Sequence, residues 1–184
     1  TRSITLASNA LFDDLSEWAQ FDDQIFWQWQ VTNEHINNTI IDGSTAEDDF
    51  GSTILIYPQE DECITPIIFG FTIQNGAASN GGGIHCLSSN PRLEDLTVKG
   101  NTASGGEYNQ GGGIYCYDSS PRLNNVSITD NSALEPIGDG GGIICNTTSN
   151  PILILSIFPM IQFAPSAALL RFPFDAPEIS AAGT

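Results

Sequence analysis

"GGGIYCYDSSPRLNNVSITDNSA", Gly111 to Ala133, repeats without a gap the earlier stretch "GGGIHCLSSNPRLEDLTVKGNTA", Gly81 to Ala103. A third copy opens at Gly140 with "GGGIICNTTSNPIL" and then loses the pattern. The cysteines of the three copies, Cys86, Cys116 and Cys145, lie 30 and 29 residues apart. A fainter copy precedes them in "PIIFGFTIQNG", where Pro66, Ile68, Phe71 and Ile73 take the places of Pro91, Leu93, Leu96 and Val98. Repetition at a fixed period of this length marks a stacked-repeat architecture, so the repeat decides the fold.

Within a copy the apolar residues alternate with polar ones: Ile84 and Cys86, then Leu93, then Leu96 and Val98, matched by Ile114, Cys116, Leu123, Val126 and Ile128. This is strand periodicity in three short pieces. Polar pairs suited to sharp bends separate the pieces: Glu94-Asp95 or Asn124-Asn125, and then Gly100-Asn101 or Asp130-Asn131. A unit so small can bury its apolar face only against the next unit, so the repeats stack, with equivalent strands about 4.8 Å apart. The expected fold is all-β: a right-handed parallel β-helix, or solenoid, of about three to four coils over residues 1–151. The glycine triples at Gly81, Gly111 and Gly140 each follow a segment of variable length and bring the chain back into register, which favours residues able to adopt positive φ.

The phrases "GGGIYC", "SSPRLNNVSITDNSA", "ITLAS", "NTIIDGS" and "FGFTIQNG" resemble the secreted β-helix repeat proteins of bacteria. In their Gly-Gly-x-Ile and Asn-x-Ala phrases they are similar to the polymorphic outer-membrane adhesins, and more distantly in fold to pectate-lyase-like enzymes. The resemblance runs from about Ser3 to Pro151 and is poor between Asn9 and Glu34. It implies an extracellular or cell-surface module of a larger protein, with an N-terminus cut from something longer. Fold likeness alone names no reaction.

The chain has 22 acidic and 5 basic residues among 184, a net charge of −17. Thirteen of the acids precede Cys63, with clusters at Glu47–Asp49 and Glu60–Glu62. Such a surface disfavours nucleic acid and anionic membrane as partners. A solvated acidic coat accounts for it; calcium is the one cofactor the acidic loops leave open, although no Asp-x-Asp-x-Asp-Gly loop supports it. Three of the four cysteines repeat in phase at an inward position, which points to a buried thiol ladder rather than to two disulfides. No Cys-x-x-Cys spacing suggests a metal site.

Two segments break the pattern. "WAQFDDQIFWQWQV" holds Trp18, Trp27 and Trp29, and the alternation of Trp27, Trp29 and Val31 with Gln28 and Gln30 predicts a strand with one aromatic face. That face either caps the column or forms a sugar-stacking platform. The second break follows Pro151, where residues 152–184 read as an irregular proline-rich tail: a cap, a leader into another module, or a reading-frame slip, the last two fitting better. Pro159 interrupts its apolar run too early for a membrane helix.

An enzyme on this fold needs outward ionisable groups on one face. The in-phase candidates are His85 and Tyr115 on the first strand, Arg92 and Arg122 on the second, and Lys99 on the third. In a polysaccharide lyase His85 or Tyr115 would take a proton while Arg92 or Arg122 neutralised a uronate. The two strands face different directions across a bend, and Asp95, Asp118 and Asp130 occupy different places in the repeat, which disfavours a carboxylate pair. The leading expectation is therefore a non-catalytic, monomeric, adhesin-like module that binds polysaccharide or a cell surface. A lyase or other carbohydrate-active enzyme is the alternative.

Overall fold

The computed structural model describes residues 4–22, 28–44, 51–58, 64–146 and 148–154. They form a β-solenoid of about three turns, as the repeat requires. Ile54–Ile56, Ile84–Leu87, Ile114–Tyr117 and Ile143–Asn146 stack in parallel as one wall, here called the cysteine sheet. Ile84 lies opposite Ile54 and Ile114, and Cys116 opposite Cys86 and Cys145.

A second sheet has two limbs. Thr5–Ala7, Ile67–Phe69, Arg92–Lys99, Arg122–Thr129 and Ile152–Ile154 stack in the first, and Ile40–Asp42 and Thr72–Gln74 continue the second below the far half of Arg92–Lys99. Leu93 faces Ile68 and Leu123, and Val98 faces Ile73 and Ile128, so the faint early copy is a true coil. The side chains turned inward from both limbs and from the cysteine sheet close one apolar column, including Ile73, Ile84, Leu93, Leu96 and Ile114. A third, two-residue wall of Ala77–Ala78, Thr102–Ala103 and Ser132–Ala133 brings the chain round.

The bends fall where the polar pairs predict them, but the second and third pieces are one eight-residue strand rather than two. A single left-handed residue, Asp95 (φ 53°) or Asn125 (φ 52°), turns the chain while the rungs on either side keep their partners. Gly70 (φ 80°) holds the same place in the previous coil. The next bend uses Asn75, Gly100 and Asp130, all at positive φ. Asn, Asp and Gly tolerate this region best, which is why they recur there.

The glycine triples need a correction. Only the first of each, at Gly81, Gly111 and Gly140, has positive φ. In the first two triples the second and third are glycine because neighbouring coils touch: a Cβ on Gly113 would stand 2.5 Å from the Gly142 carbonyl oxygen and 3.0 Å from Asn131 Nδ2. The variable loops before the triples are also more ordered than an outward excursion. Tyr108–Gln110 pairs in parallel with Ile137–Asp139, and the buried Asn109 donates to the carbonyls of Leu134 and Glu135 at 2.9 and 3.1 Å.

The aromatic-rich insertion replaces a corner. In the first coil Ala7 and Ile40 occupy rungs that Phe69 and Thr72 occupy in the next, where only two residues intervene. Residues 8–39 form a 3-10 turn at Asn9–Phe12, an antiparallel hairpin of Ala19–Asp22 with Gln28–Val31, and a short helix at Glu34–Asn38. Asn33 caps the helix by accepting from Ile36 N at 2.9 Å. The helix lies against Thr72–Gln74 and Arg92–Lys99, and Thr72 Oγ1 donates to the Ile36 carbonyl at 2.9 Å. The helix of the insertion thus covers the flank of the column at its corner. At the other end, Leu153 pairs with Leu123, so the ladder runs three residues past the boundary expected at Pro151. Residues 155–184 lie outside the described residues.

Asn101 is the most connected corner side chain. It is fully buried, accepts from Gly76 N at 2.9 Å, and donates to the Ile73 and Lys99 carbonyls and to Asn131 Oδ1. Asn101→Ala strands several of these groups, and the expected loss is about 3 kcal/mol of unfolding free energy in urea titrations. Ser120→Ala, at a half-buried corner where the hydroxyl accepts only one bond, from Asn150 N at 3.1 Å, is expected to cost less, about 1 kcal/mol.

Candidate functional site

The inward Ile84 and Cys86 force the residues between and beyond them outward, so the cysteine sheet presents two outward columns. The first is Leu55, His85, Tyr115 and Ile144 in register. The second is Leu87, Tyr117 and Asn146, with Tyr57 one residue beyond Ile56 in the coil below. Leu55 is 60% exposed, Tyr57 57% and Tyr117 43%. This is an aromatic and aliphatic surface interleaved with hydroxyl, imidazole and amide groups, and no lysine or arginine stands in either column.

Tyr115 does not behave as a solvated ladder position. It points outward yet is only 7% exposed, packed edge-on against His85 with ring centroids 5.0 Å apart. Asn146 Nδ2 donates to its hydroxyl at 3.3 Å and to Gln110 Oε1 at 3.1 Å, so the neighbouring loop ladder folds over it. Burial lowers the His85 pKa from its ordinary value, leaving a neutral imidazole at pH 7 that donates at one nitrogen and accepts at the other.

The basic candidates lie elsewhere. Arg92 and Arg122 face each other across a rung of the two-limbed sheet, and Lys99 lies opposite Gln74 and Thr129 on the same sheet. Arg92 is engaged by its own strand: its Nε and Nη2 reach Glu94 Oε1 at 2.9 and 2.5 Å. His85 and Tyr115 therefore form one pair and the arginines another, on different walls. A general base must lie within hydrogen-bond reach of its proton while the neutralising cation meets the same sugar. This placement does not gather the four residues.

Of the tryptophans, Trp18 is half-buried and its carbonyl accepts from Thr32 N at 2.8 Å, closing the base of the hairpin. Phe21 lies opposite Trp29 in the hairpin register, and Trp27 lies outside the described residues. The clusters Glu47–Asp49 and Glu60–Glu62 lie outside them too, as does Cys63. Among the described residues no group of three or more His, Cys, Asp or Glu side chains converges as a metal site. No helix among them is long and apolar enough to cross a membrane, which says nothing of strands.

Sequence reasoning singled out His85 and Tyr115 by their phase but missed Tyr57, Leu87 and Tyr117. The signal was present: these stand two residues after Leu55, His85 and Tyr115, and a strand returns to the same face every second residue.

A family model described as the Chlamydia polymorphic membrane protein repeat matches residues 95–117, from the corner aspartate of one coil through the cysteine strand of the next. Comparison with curated proteins and with solved structures gave no match. The chain is thus similar to that repeat over one coil, which bears on the adhesin side of the resemblance and not on the pectate-lyase side.

The corner where this match begins carries a measurable pH signature. Asp95 is buried, and desolvation raises its pKa despite the hydrogen bond it accepts from Asn125 Nδ2 at 2.9 Å, with Glu94 raising it further. Its folded pKa exceeds the unfolded one, so the folded state binds more protons in that window and stability falls as pH rises through it. Asp95→Asn keeps a residue suited to positive φ and removes the buried charge. We expect it to stabilise the protein by about 1 kcal/mol at pH 7, with the gain disappearing below pH ~4, as urea midpoints at several pH values would record.

Proposed function

We propose that this chain is a surface-displayed, non-catalytic module of a larger bacterial protein, adhesive in role, that binds neutral polysaccharide through the outward face of the cysteine sheet. The observation that carries this reading is the pair of outward columns, with Tyr57 and Tyr117 exposed and Leu87 half-buried between them, beside the polar edges of His85 and Asn146. Aromatic rings offer an apolar face to the C–H side of a sugar, while hydroxyl, imidazole and amide groups meet its hydroxyls. A net charge of −17 supports a neutral ligand, since an anionic glycan would approach through a repulsive field. The match to the Chlamydia polymorphic membrane protein repeat supports bacterial cell-surface display. The segment of Trp18, Trp27 and Trp29 is a second candidate contact, and the module is monomeric.

The experiment is binding to a panel of immobilised neutral and uronate polysaccharides. Tyr57→Ala and Tyr117→Ala are each expected to weaken binding to a neutral glycan severalfold, about 1 kcal/mol apiece, with folding unchanged because both rings are exposed. Phe12→Ala, on the insertion, should leave it unaltered. Binding that is insensitive to both tyrosines removes the proposed face; loss on Trp18→Ala instead moves the site to the hairpin. Incubation with pectate, alginate and chondroitin, with and without calcium, tests the lyase alternative. Unsaturated product that vanishes in His85→Ala or Tyr115→Phe would replace the binding reading with catalysis.

A further inference from the structure

Three thiols stand one above another inside the column. Cys86, Cys116 and Cys145 share one register position, and all three are free. Stacked strands place neighbouring Cα atoms about 4.8 Å apart, within the range of about 4.4 to 6.8 Å that a disulfide spans. Cys116 stands between the other two thiols, one rung from each. Cys86 and Cys116 have no exposed surface, whereas Cys145, at the last rung of the sheet, is partly exposed. The ladder therefore has one point of access, and an odd number of thiols: any disulfide within it leaves one sulfur over.

We propose that Cys145 is a modification site for a small-molecule disulfide oxidant and that Cys116 resolves the adduct, making the cysteine sheet a thiol–disulfide relay. The Cys145 thiolate attacks one sulfur of the oxidant RSSR, forming a mixed disulfide and releasing RSH, which takes up the Cys145 proton. Cys116 then attacks the Cys145 sulfur and gives up its proton to the departing RS group as it does so; the bond between Cys145 and that sulfur breaks and a second RSH leaves. Two electrons have passed to the oxidant, and Cys116 and Cys145 are joined. Attack by Cys86 on Cys116 moves the bond one rung inward and returns a free thiol to Cys145.

The electrostatics order the two steps, with attack by Cys145 first and the slower attack by Cys116 second. Hydrogen bonds to Cys145 and Cys86, then burial, hold the Cys116 thiol protonated well above its ordinary pKa. The hydrogen bond with Cys116 lowers that of Cys145, so the partly exposed cysteine is also the readier nucleophile. In-register side chains point the same way rather than at each other, so the ladder disulfide is strained and reducible rather than a permanent staple.

The test uses the full chain carrying Cys63→Ser, treated with oxidised glutathione while folded, with intact mass and alkylation mapping over time. The expected course is a glutathione adduct on Cys145, followed by its loss and a protein two hydrogens lighter with a bond at Cys116. Adding Cys116→Ala should trap the adduct on Cys145, and Cys145→Ala should slow all oxidation at least ~tenfold. A persistent Cys145 adduct with Cys116 present, first modification at Cys86, or no reaction in the folded protein would overturn the relay. The order of modification in the chain with Cys116 intact decides the matter even if a ladder variant fails to fold.

Discussion

At the corners of Ser89 and Asn101 the chain leaves the direction of its inter-coil hydrogen bonds, and the amides there lose their strand partners. Side chains from the adjacent coil supply the missing acceptors. Ser89 N donates to Ser119 Oγ and Ser119 N to Ser149 Oγ, at 3.1 and 3.0 Å. Gly76 N donates to Asn101 Oδ1 and Asn101 N to Asn131 Oδ1, both at 2.9 Å. Buried amides without partners cost far more than paired ones return, so these polar ladders permit the column to have corners at all. Everything else about the fold depends on coils being held in one register by them.

That register explains residues that look unrelated in the sequence. Gly83 and Gly113 leave room for the amides of Asn101 and Asn131, so glycine in one segment and asparagine in another are two halves of one contact. A single left-handed residue at Gly70, Asp95 or Asn125 turns the second strand without breaking it. In the first coil the same corner is the point where residues 8–39 enter, because a bend already directed outward admits an insertion without disturbing the rungs on either side.

The same stacking determines what the molecule can present to its surroundings. Equivalent strands placed in register multiply whatever stands at a given position, so inward cysteines become a run of sulfur and outward tyrosines recur at one position of the same face. A repeat surface of this kind suits a long or repetitive partner better than a small substrate, since the candidate bases and the candidate cations lie on separate walls. The thiol run lies directly behind the proposed binding face, on the opposite side of the same strands.

Much of this was legible in the sequence, because a period near thirty residues carrying strand alternation leaves the apolar face of each unit no partner but the next unit. The inward rungs, the corners at Asp95 and Asn125, the in-phase cysteines and the faint coil at Pro66 all follow from that argument. The sequence did not disclose that Tyr115 is buried while Tyr117 is open, that Arg92 is held by Glu94, or that the loops before the glycine triples form a ladder of their own. Each of these depends on how far a neighbouring loop folds over an outward face, a contact between residues with no shared period. Periodicity fixes which way a side chain points; only the packing of the coils decides whether anything lies above it.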